Sequence, residues 1–118
     1  IKIKLISFDN INGDVEKALT ALLKQHSDLD AIYALNNHIA TSILRTLRKK
    51  EFEKFGEKIK IASFDDIELF NIIDKKVTSV SQPIEEIGKT ASLLMLDIID
   101  GKQLNKSNVV LATKVIAR

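Results

Sequence analysis

The chain has 118 residues, of which 45% are hydrophobic and 29% are charged, and its formal net charge is +2. This length accommodates one ordinary domain with a modest core, and the mild charge gives no indication of a nucleic-acid or membrane surface. Cysteine is absent, which excludes disulfides, zinc thiolates and thiol nucleophiles. No apolar run is long enough to span a bilayer. The sequence begins at Ile1 without an initiator Met or a leader, so we expect a fragment of a longer protein.

Apolar segments alternate with amphipathic helical patterns along the chain, and this alternation predicts an α/β fold with a parallel sheet. Strands are predicted at residues 1–8, 30–35, 59–64, 77–82 and 109–117. Helices are predicted from about residue 15, after Asn37, over residues 67–74, and from Pro83, which is expected at the first helical position. Gly101 is expected to end the last helix in a left-handed conformation.

Polar side chains follow the predicted strands at the point where each strand ends. They are carboxylates and amides: Asp9, Asn10, Asn36, Asn37, Asp65, Asp66 and Gln82. In an open parallel sheet, ligands bind outside the carboxyl ends of the strands, so these groups are expected along one rim. A carboxylate accepts from two hydroxyls, and an amide both donates and accepts, which suits a small polyol. The set holds no nucleophile paired with a base, so we assign no catalytic residue and expect no cofactor.

Each of these polar side chains also has a purely structural interpretation. Asn36, Asp65 and Gln82 are all placed where they could cap the helix that follows. Successive side chains of an extended segment point to opposite sides, so we expect one acid of the Asp65-Asp66 pair to bind and the other to brace. The two histidines, His26 and His38, have no partners at metal-ligand spacing, and no metal site is predicted.

The segment 67–74 carries more large apolar side chains than a free loop accommodates, namely Leu69, Phe70, Ile72 and Ile73. These side chains either lie on their own domain or form a patch that a second subunit covers. The sequence pattern alone leaves both interpretations open.

Four segments occur in an order and spacing that cover nearly the whole chain: 30–40 (DAIYALNNHIA), 59–66 (IKIASFDD), 78–91 with TSVSQP and IGKTA, and 109–118 with VVL and IAR. Together they resemble the effector-binding half of lactose-repressor-type (LacI/GalR) bacterial transcription regulators. The resemblance implies a three-layer αβα parallel sheet of the periplasmic-binding-protein-like (type I) kind. The chain would be the C-terminal part of a two-lobe effector-binding domain.

The resemblance also assigns roles to the strand-end residues. It implies that Asn36, Asp65 and Gln82 contact the effector, with weaker roles for Asp66 and Asn37. Two further residues complete the predicted ligand-binding site, Asn10 at the first strand end and Phe64 as an apolar wall.

The sequence departs from the family pattern at two places in this site. The second amide of the pair after the second strand, Asn37, is more often Asp in relatives. The turn around Asn10, where an aromatic ring often stacks on a sugar, has only Phe8 nearby. The identity of the ligand therefore stays open.

Related regulators are dimers, so the resemblance favours a subunit contact at segment 67–74. We expect the dimer interface to include Leu69, Phe70, Ile72, Ile73 and Ile43. The helix from Pro83, with the loop after it (about 84–108), is expected to pack on the missing N-terminal lobe and to be the least supported element of the fragment alone. The DNA-reading helix-turn-helix would precede Ile1.

The sequence therefore predicts the effector-binding and dimerisation portion of a cytoplasmic regulator that is not an enzyme. Its expected partners are a small carbohydrate effector, a second copy of itself, and operator DNA only through the missing helix-turn-helix, with no membrane partner. Two alternatives stay open: an extracytoplasmic sugar-binding protein of the same fold, and a receiver-like phosphoacceptor domain that uses Asp65-Asp66 with a metal. The amide-rich rim favours either sugar-binding interpretation over the receiver.

Overall fold

The computed structural model describes residues 15–103 and 108–118 of the chain. The helices are α1 (Val15–Gln25), α2 (Asn37–Leu47), α3 (Glu53–Lys58), α4 (Leu69–Ile72) and α5 (Ile84–Ile99), and a short 3-10 helix at Lys50–Phe52 precedes α3. The strands are β1 (Ala31–Ala34), β2 (Lys60–Phe64), β3 (Val77–Ser81) and β4 (Lys114–Ile116). The strand predicted at residues 1–8 lies outside the described residues. The 3-10 helix and α3 had not been predicted as separate elements.

The described strands form one sheet in the order β1-β2-β3-β4. The first three strands are parallel, as predicted. The last strand is antiparallel to β3, with Lys114 opposite Ser81 and Ile116 opposite Ser79, so the sheet is mostly parallel rather than wholly parallel. The physical reason is the path of the chain: α5 departs from the carboxyl end of β3, and the returning segment enters the sheet at that same end.

The hydrophobic core lies on one face of the sheet. On β2, Ile61 is buried and Ala62 is only half-buried, and their partners on β3 repeat this alternation. Strands added in one direction by right-handed crossovers place their connecting helices on the same face, and α1, α2 and α4 all supply side chains to this core, including Leu23, Leu44 and Phe70. Tyr33, on the other face, is 54% exposed. The α/β class is confirmed, and α1, α2 and α4 form one outer layer of the expected arrangement.

Helix α5 buries none of its side chains against the rest of the described chain. It begins at Ile84, one position later than predicted, with Pro83 as the N-cap. It ends as predicted, because Gly101 adopts a φ of 69°. Large apolar side chains are exposed around the helix: Ile84, Ile87, Leu93, Met95, Leu96, Ile98 and Ile99. A helix that is apolar on most sides is normally enclosed by a larger structure.

The apolar segment around α4 is divided between the core and the surface. Phe70 is 2% exposed and belongs to the core, together with Ile43 of α2, which is 3% exposed. Leu69 and Ile73 are half-buried, and Ile72 is 74% exposed. Two of the five residues expected at a dimer interface therefore have almost no surface to offer a partner, since their own domain already covers them.

Within residues 15–103 and 108–118, no helix combines the length and the apolar character that crossing a membrane would require.

Candidate functional site

The carboxyl ends of β2 and β3 bring Asp65 and Gln82 into direct contact. The amide nitrogen Nε2 of Gln82 donates a hydrogen bond to Oδ1 of Asp65 at 2.6 Å. Parallel pairing places Phe64 opposite Val80, so the two chains leave the sheet at nearly the same level. Both side chains are half-buried and remain accessible. Two of the residues predicted to bind the ligand therefore lie together at one rim of the sheet.

Asp65 adopts an unusual backbone conformation for a residue other than glycine. Its φ is 74°, in the left-handed region, which costs an L-residue roughly 1 to 2 kcal/mol. Aspartate tolerates this region better than most residues, because its short polar side chain can bond locally. Strained conformations of this kind persist where the surrounding contacts hold them and are frequent at functional sites.

The neighbouring acid, Asp66, is braced from the other direction. Its Oδ1 accepts a hydrogen bond from Ser79 Oγ at 2.6 Å and lies 2.8 Å from Nη1 of Arg118. The two side chains of this ion pair are 11% (Arg118) and 19% (Asp66) exposed, so water screens the pair only partly. The two acids thus face different partners, with Asp65 towards the rim and Asp66 towards the interior.

The hydrogen bond from the Arg118 guanidinium lowers the pKa of Asp66 below its ordinary value near 3.8. The Ser79 hydroxyl and the backbone N–H of Ile67 lower the pKa further, while burial of the carboxyl opposes them. The native state therefore holds Asp66 ionised to a lower pH than the unfolded chain does.

Because the native pKa of Asp66 is depressed, its contribution to stability is complete above about pH 3.8 and is lost as the pH falls through the lower native value. We expect the Asp66→Asn variant to show a flatter decline in the free energy of unfolding below pH 4 than the unmodified protein. Urea denaturation at a series of pH values measures this slope. Parallel acid limbs in the two proteins would remove Asp66 as the source of the effect.

Arg118, which follows β4, contacts both β3 and α4. Nη1 donates to the Ser79 hydroxyl at 2.8 Å, Nε and Nη2 both donate to Oδ1 of Asn71 in α4, at 3.0 and 2.8 Å, and the guanidinium carbon lies 5.9 Å from the centre of the Phe70 ring. No role for Arg118 was predicted from the sequence. The signal that could have indicated this role was electrostatic, because a partly buried carboxylate needs a positively charged partner. Arg118 directly follows the predicted last strand and could have been considered as that partner.

Asn36 serves as the N-cap of α2. Its Oδ1 accepts from the backbone N–H of Ile39 at 2.8 Å, and the residue is exposed. Ala34 of β1 pairs with Ser63 of β2. Asn36 and Asp65 each follow this pair by two residues, so they lie at about the same level beyond neighbouring strands. The capping bond uses the carbonyl oxygen and leaves the amide N–H groups for another acceptor. The capping interpretation of Asn36 is therefore correct, and it is compatible with a ligand contact.

The remaining predicted site residues differ in position. Phe64 is half-buried on the face of the sheet opposite the core, next to Val80 of β3. Asn10 lies outside the described residues.

Within residues 15–103 and 108–118, no group of three His, Cys, Asp or Glu side chains is arranged to hold a metal ion. Since Asp66 is engaged by Arg118, the acid pair is not arranged as the joint metal site that a receiver domain needs.

An open groove of about 410 Å³ lies beside Gln82, between α5 and the segment that returns towards β4. Its walls include Ile87, Leu94, Asn108 and Leu111. The end of β3 at Gln82 is therefore accessible from the side of α5.

Residues 3–118 match the family of periplasmic binding protein-like domains. Together with the sheet and its rim of polar strand ends, this match shows that the chain belongs to that family. The resemblance to LacI/GalR-type regulators that the sequence suggested is confirmed by similarity to regulators of that type.

The ribose operon repressor of Halalkalibacterium halodurans is 26% identical over 114 residues, which cover 97% of this chain and 34% of the repressor. The ribose import binding protein RbsB of Bacillus subtilis is 30% identical over 112 residues, covering 90% of this chain and 35% of RbsB. Among solved structures, a complex of the transcriptional regulator CelR with cellobiose is 28% identical, with a TM-score of 0.73, and the match covers 88% of this chain and 32% of that one. The chain thus spans about a third of the length of these proteins.

Proposed function

We propose that this chain is the effector-binding and dimerisation portion of a LacI-type bacterial transcriptional regulator, and that its effector is a carbohydrate. The observation that carries the proposal is the hydrogen-bonded pair of Asp65 and Gln82 at the accessible ends of two parallel strands. Similarity to the ribose operon repressor and to CelR supports the regulatory role. The groups at the rim favour binding over catalysis, because they do not pair a nucleophile with a base.

The chemistry of the rim favours an uncharged, hydroxyl-bearing ligand. With Oδ1 of Asp65 accepting from Gln82, the other carboxylate oxygen can accept from a ligand hydroxyl. Gln82 keeps a second amide N–H and its carbonyl oxygen for the same ligand. A negatively charged group placed beside Asp65 would be repelled, so a neutral sugar fits better than a sugar phosphate.

The link to DNA is indirect in this proposal. A ligand that binds between this lobe and the N-terminal lobe stabilises the closed arrangement only through unequal affinity for the open and closed states. The change would be passed to a helix-turn-helix that precedes this chain in the full-length protein, which we place in the cytoplasm. The polar groups at the rim do not determine which operator is bound, or whether the ligand releases or promotes DNA binding.

The exposed apolar surface of α5 supports the proposal that residues 84–108 pack on the N-terminal lobe. Without that lobe, the amides of α5 are expected to exchange with solvent faster than those of β2, because burial and packing determine local stability. Hydrogen exchange on residues 1–118, compared with the full-length protein, measures this difference. Equal protection of α5 and β2 in a monomeric fragment would contradict the proposal.

For the dimer, we propose a contact centred on Ile72, which is 74% exposed, with the half-buried Leu69 and Ile73 beside it. Phe70 and Ile43 leave the proposed contact set, since their side chains are enclosed by the core. They would affect a dimer only by supporting the residues around them.

A thermal-shift screen of the full-length protein against neutral sugars and sugar phosphates tests the proposed ligand class. A ligand present at about 100 times its dissociation constant adds roughly 2.7 kcal/mol to stability, which gives a clear shift. We expect a neutral sugar to be the strongest hit. A shift only with nucleotides or phosphorylated compounds, or no shift with any carbohydrate, would contradict the proposal.

An extracytoplasmic sugar-binding protein is the second candidate, favoured by the similarity to RbsB over 90% of this chain. Both candidates predict the same sugar site, because the rim belongs to the shared fold. The sequence upstream of Ile1 separates them, since a helix-turn-helix indicates a regulator and an export signal indicates a binding protein.

A further inference from the structure

We propose that Arg118 is a positioning residue for the ligand site: by clamping Asp66, it holds the left-handed turn that presents Asp65 to Gln82 at the rim. This inference deepens the proposed function and rests on it where ligand affinity is concerned. Arg118 itself faces the interior side of the acid pair, so it acts through Asp66 rather than by contact with the ligand.

The turn at Asp65 is held between two fixed ends. Before it, β2 is paired with β1 up to Ser63 and with β3 up to Phe64. After it, Asp66 is fixed by Arg118 and by the Ser79 hydroxyl. Asp65 adopts its φ of 74° between these anchors. If the second anchor is released, the backbone can relax to an ordinary φ and carry the Asp65 carboxylate away from Gln82.

The guanidinium group suits this position better than an ammonium group would. Its planar fork donates from Nη1 towards Asp66 and Ser79, and from Nε and Nη2 to Asn71. It also packs near the Phe70 ring. A lysine could restore the charge opposite Asp66, but a single nitrogen cannot bridge both directions at once.

The bonds from Arg118 to Asn71 provide a matched control. They tie Arg118 to α4 and do not involve the acid pair. If Arg118 were only a general structural anchor, losing its contact with either Asp66 or Asn71 would lower stability without altering the rim. If Arg118 positions the turn, only the loss of its contact with Asp66 changes the backbone conformation of Asp65.

The test compares Arg118→Met, Arg118→Lys and Asn71→Ala in the full-length protein. Aspartate-selective isotope labelling allows the intraresidue amide-to-α-proton NOE of Asp65 to be measured, and this NOE is strong only at positive φ. We expect Arg118→Met to lose the strong NOE, Arg118→Lys to restore part of it, and Asn71→Ala to keep it. Carbohydrate affinity should follow the same order, falling about 10- to 100-fold in Arg118→Met, as expected for a misplaced binding group.

A folded Arg118→Met protein that keeps both the NOE and the affinity overturns the proposal. So does an equal loss in Asn71→Ala. If Arg118→Met does not fold, Asp66→Ala replaces it, because this variant removes the oxygen that Arg118 and Ser79 hold. An unchanged NOE in Asp66→Ala likewise overturns the proposal, and a weakened one supports it. Should no carbohydrate bind the unmodified protein, the proposed function fails, while the NOE still decides the role of Arg118.

Discussion

Replacing Asp65 with Ala is expected to weaken carbohydrate binding by about 100-fold or more. A hydrogen bond to a charged group contributes roughly 1.5 to 3 kcal/mol, and the loss of the carboxylate leaves ligand hydroxyls unpaired in the site. The variant also loses the bond to Gln82, which frees that side chain to move. Isothermal titration of the full-length protein with the sugar found by thermal shift measures the change.

The matched control is Asp65→Asn. Asparagine also tolerates the left-handed conformation and keeps an oxygen for the Gln82 amide, so it removes the charge with little change in shape. We expect its affinity to lie between those of the unmodified protein and Asp65→Ala. If Asp65→Ala binds within about threefold of the unmodified protein, Asp65 does not contribute the charged hydrogen bond proposed for it.

Replacing Phe70 with Ala should lower the free energy of unfolding by about 3 to 5 kcal/mol, the range for a large aromatic side chain removed from a core. Phe70 is 2% exposed and belongs to the core on which α4 lies. Ile72, two positions further along the same helix, is 74% exposed and provides the control. Ile72→Ala should change the stability of the folded monomer by about 0.5 kcal/mol or less, since it touches little of the core.

Urea denaturation measures both stabilities, and sedimentation measures the association of the subunits. We expect Ile72→Asp to weaken the dimer, because it places a charge in the proposed apolar contact. A dimer that is unaffected by Ile72→Asp would remove Ile72 from the interface. Equal destabilisation by Phe70→Ala and Ile72→Ala would contradict the division of α4 between core and surface.

The rim was predictable because it follows from a simple rule applied to particular residues. Asp65 and Gln82 each end a strand that reads as extended in the sequence, and parallel strands place such ends together. The alternative roles of Asn36 were also predictable, since an amide before a helix is a common cap. Local patterns and sheet geometry were sufficient for these features.

Other features depend on contacts between distant parts of the chain. The direction of β4 depends on the end of the sheet at which the chain returns after α5. The sequence of a short strand such as Lys114–Ile116 does not indicate whether it pairs in a parallel or an antiparallel direction. The partition of the apolar residues in α4 depends on which side meets the core, and a helix of a single turn shows no clear periodicity. The contact of Arg118 with Asp66 joins residues that are far apart in the sequence, so it leaves no local pattern there.

A crystal structure of the full-length protein bound to its sugar is the most direct measurement of whether this rim is the binding site. We predict that a sugar hydroxyl lies about 3 Å from the Asp65 carboxylate, with Gln82 and the amide of Asn36 bonded to the same molecule. A sugar bound elsewhere, with Asp65 and Gln82 bonded only to each other, would contradict the assignment of the site.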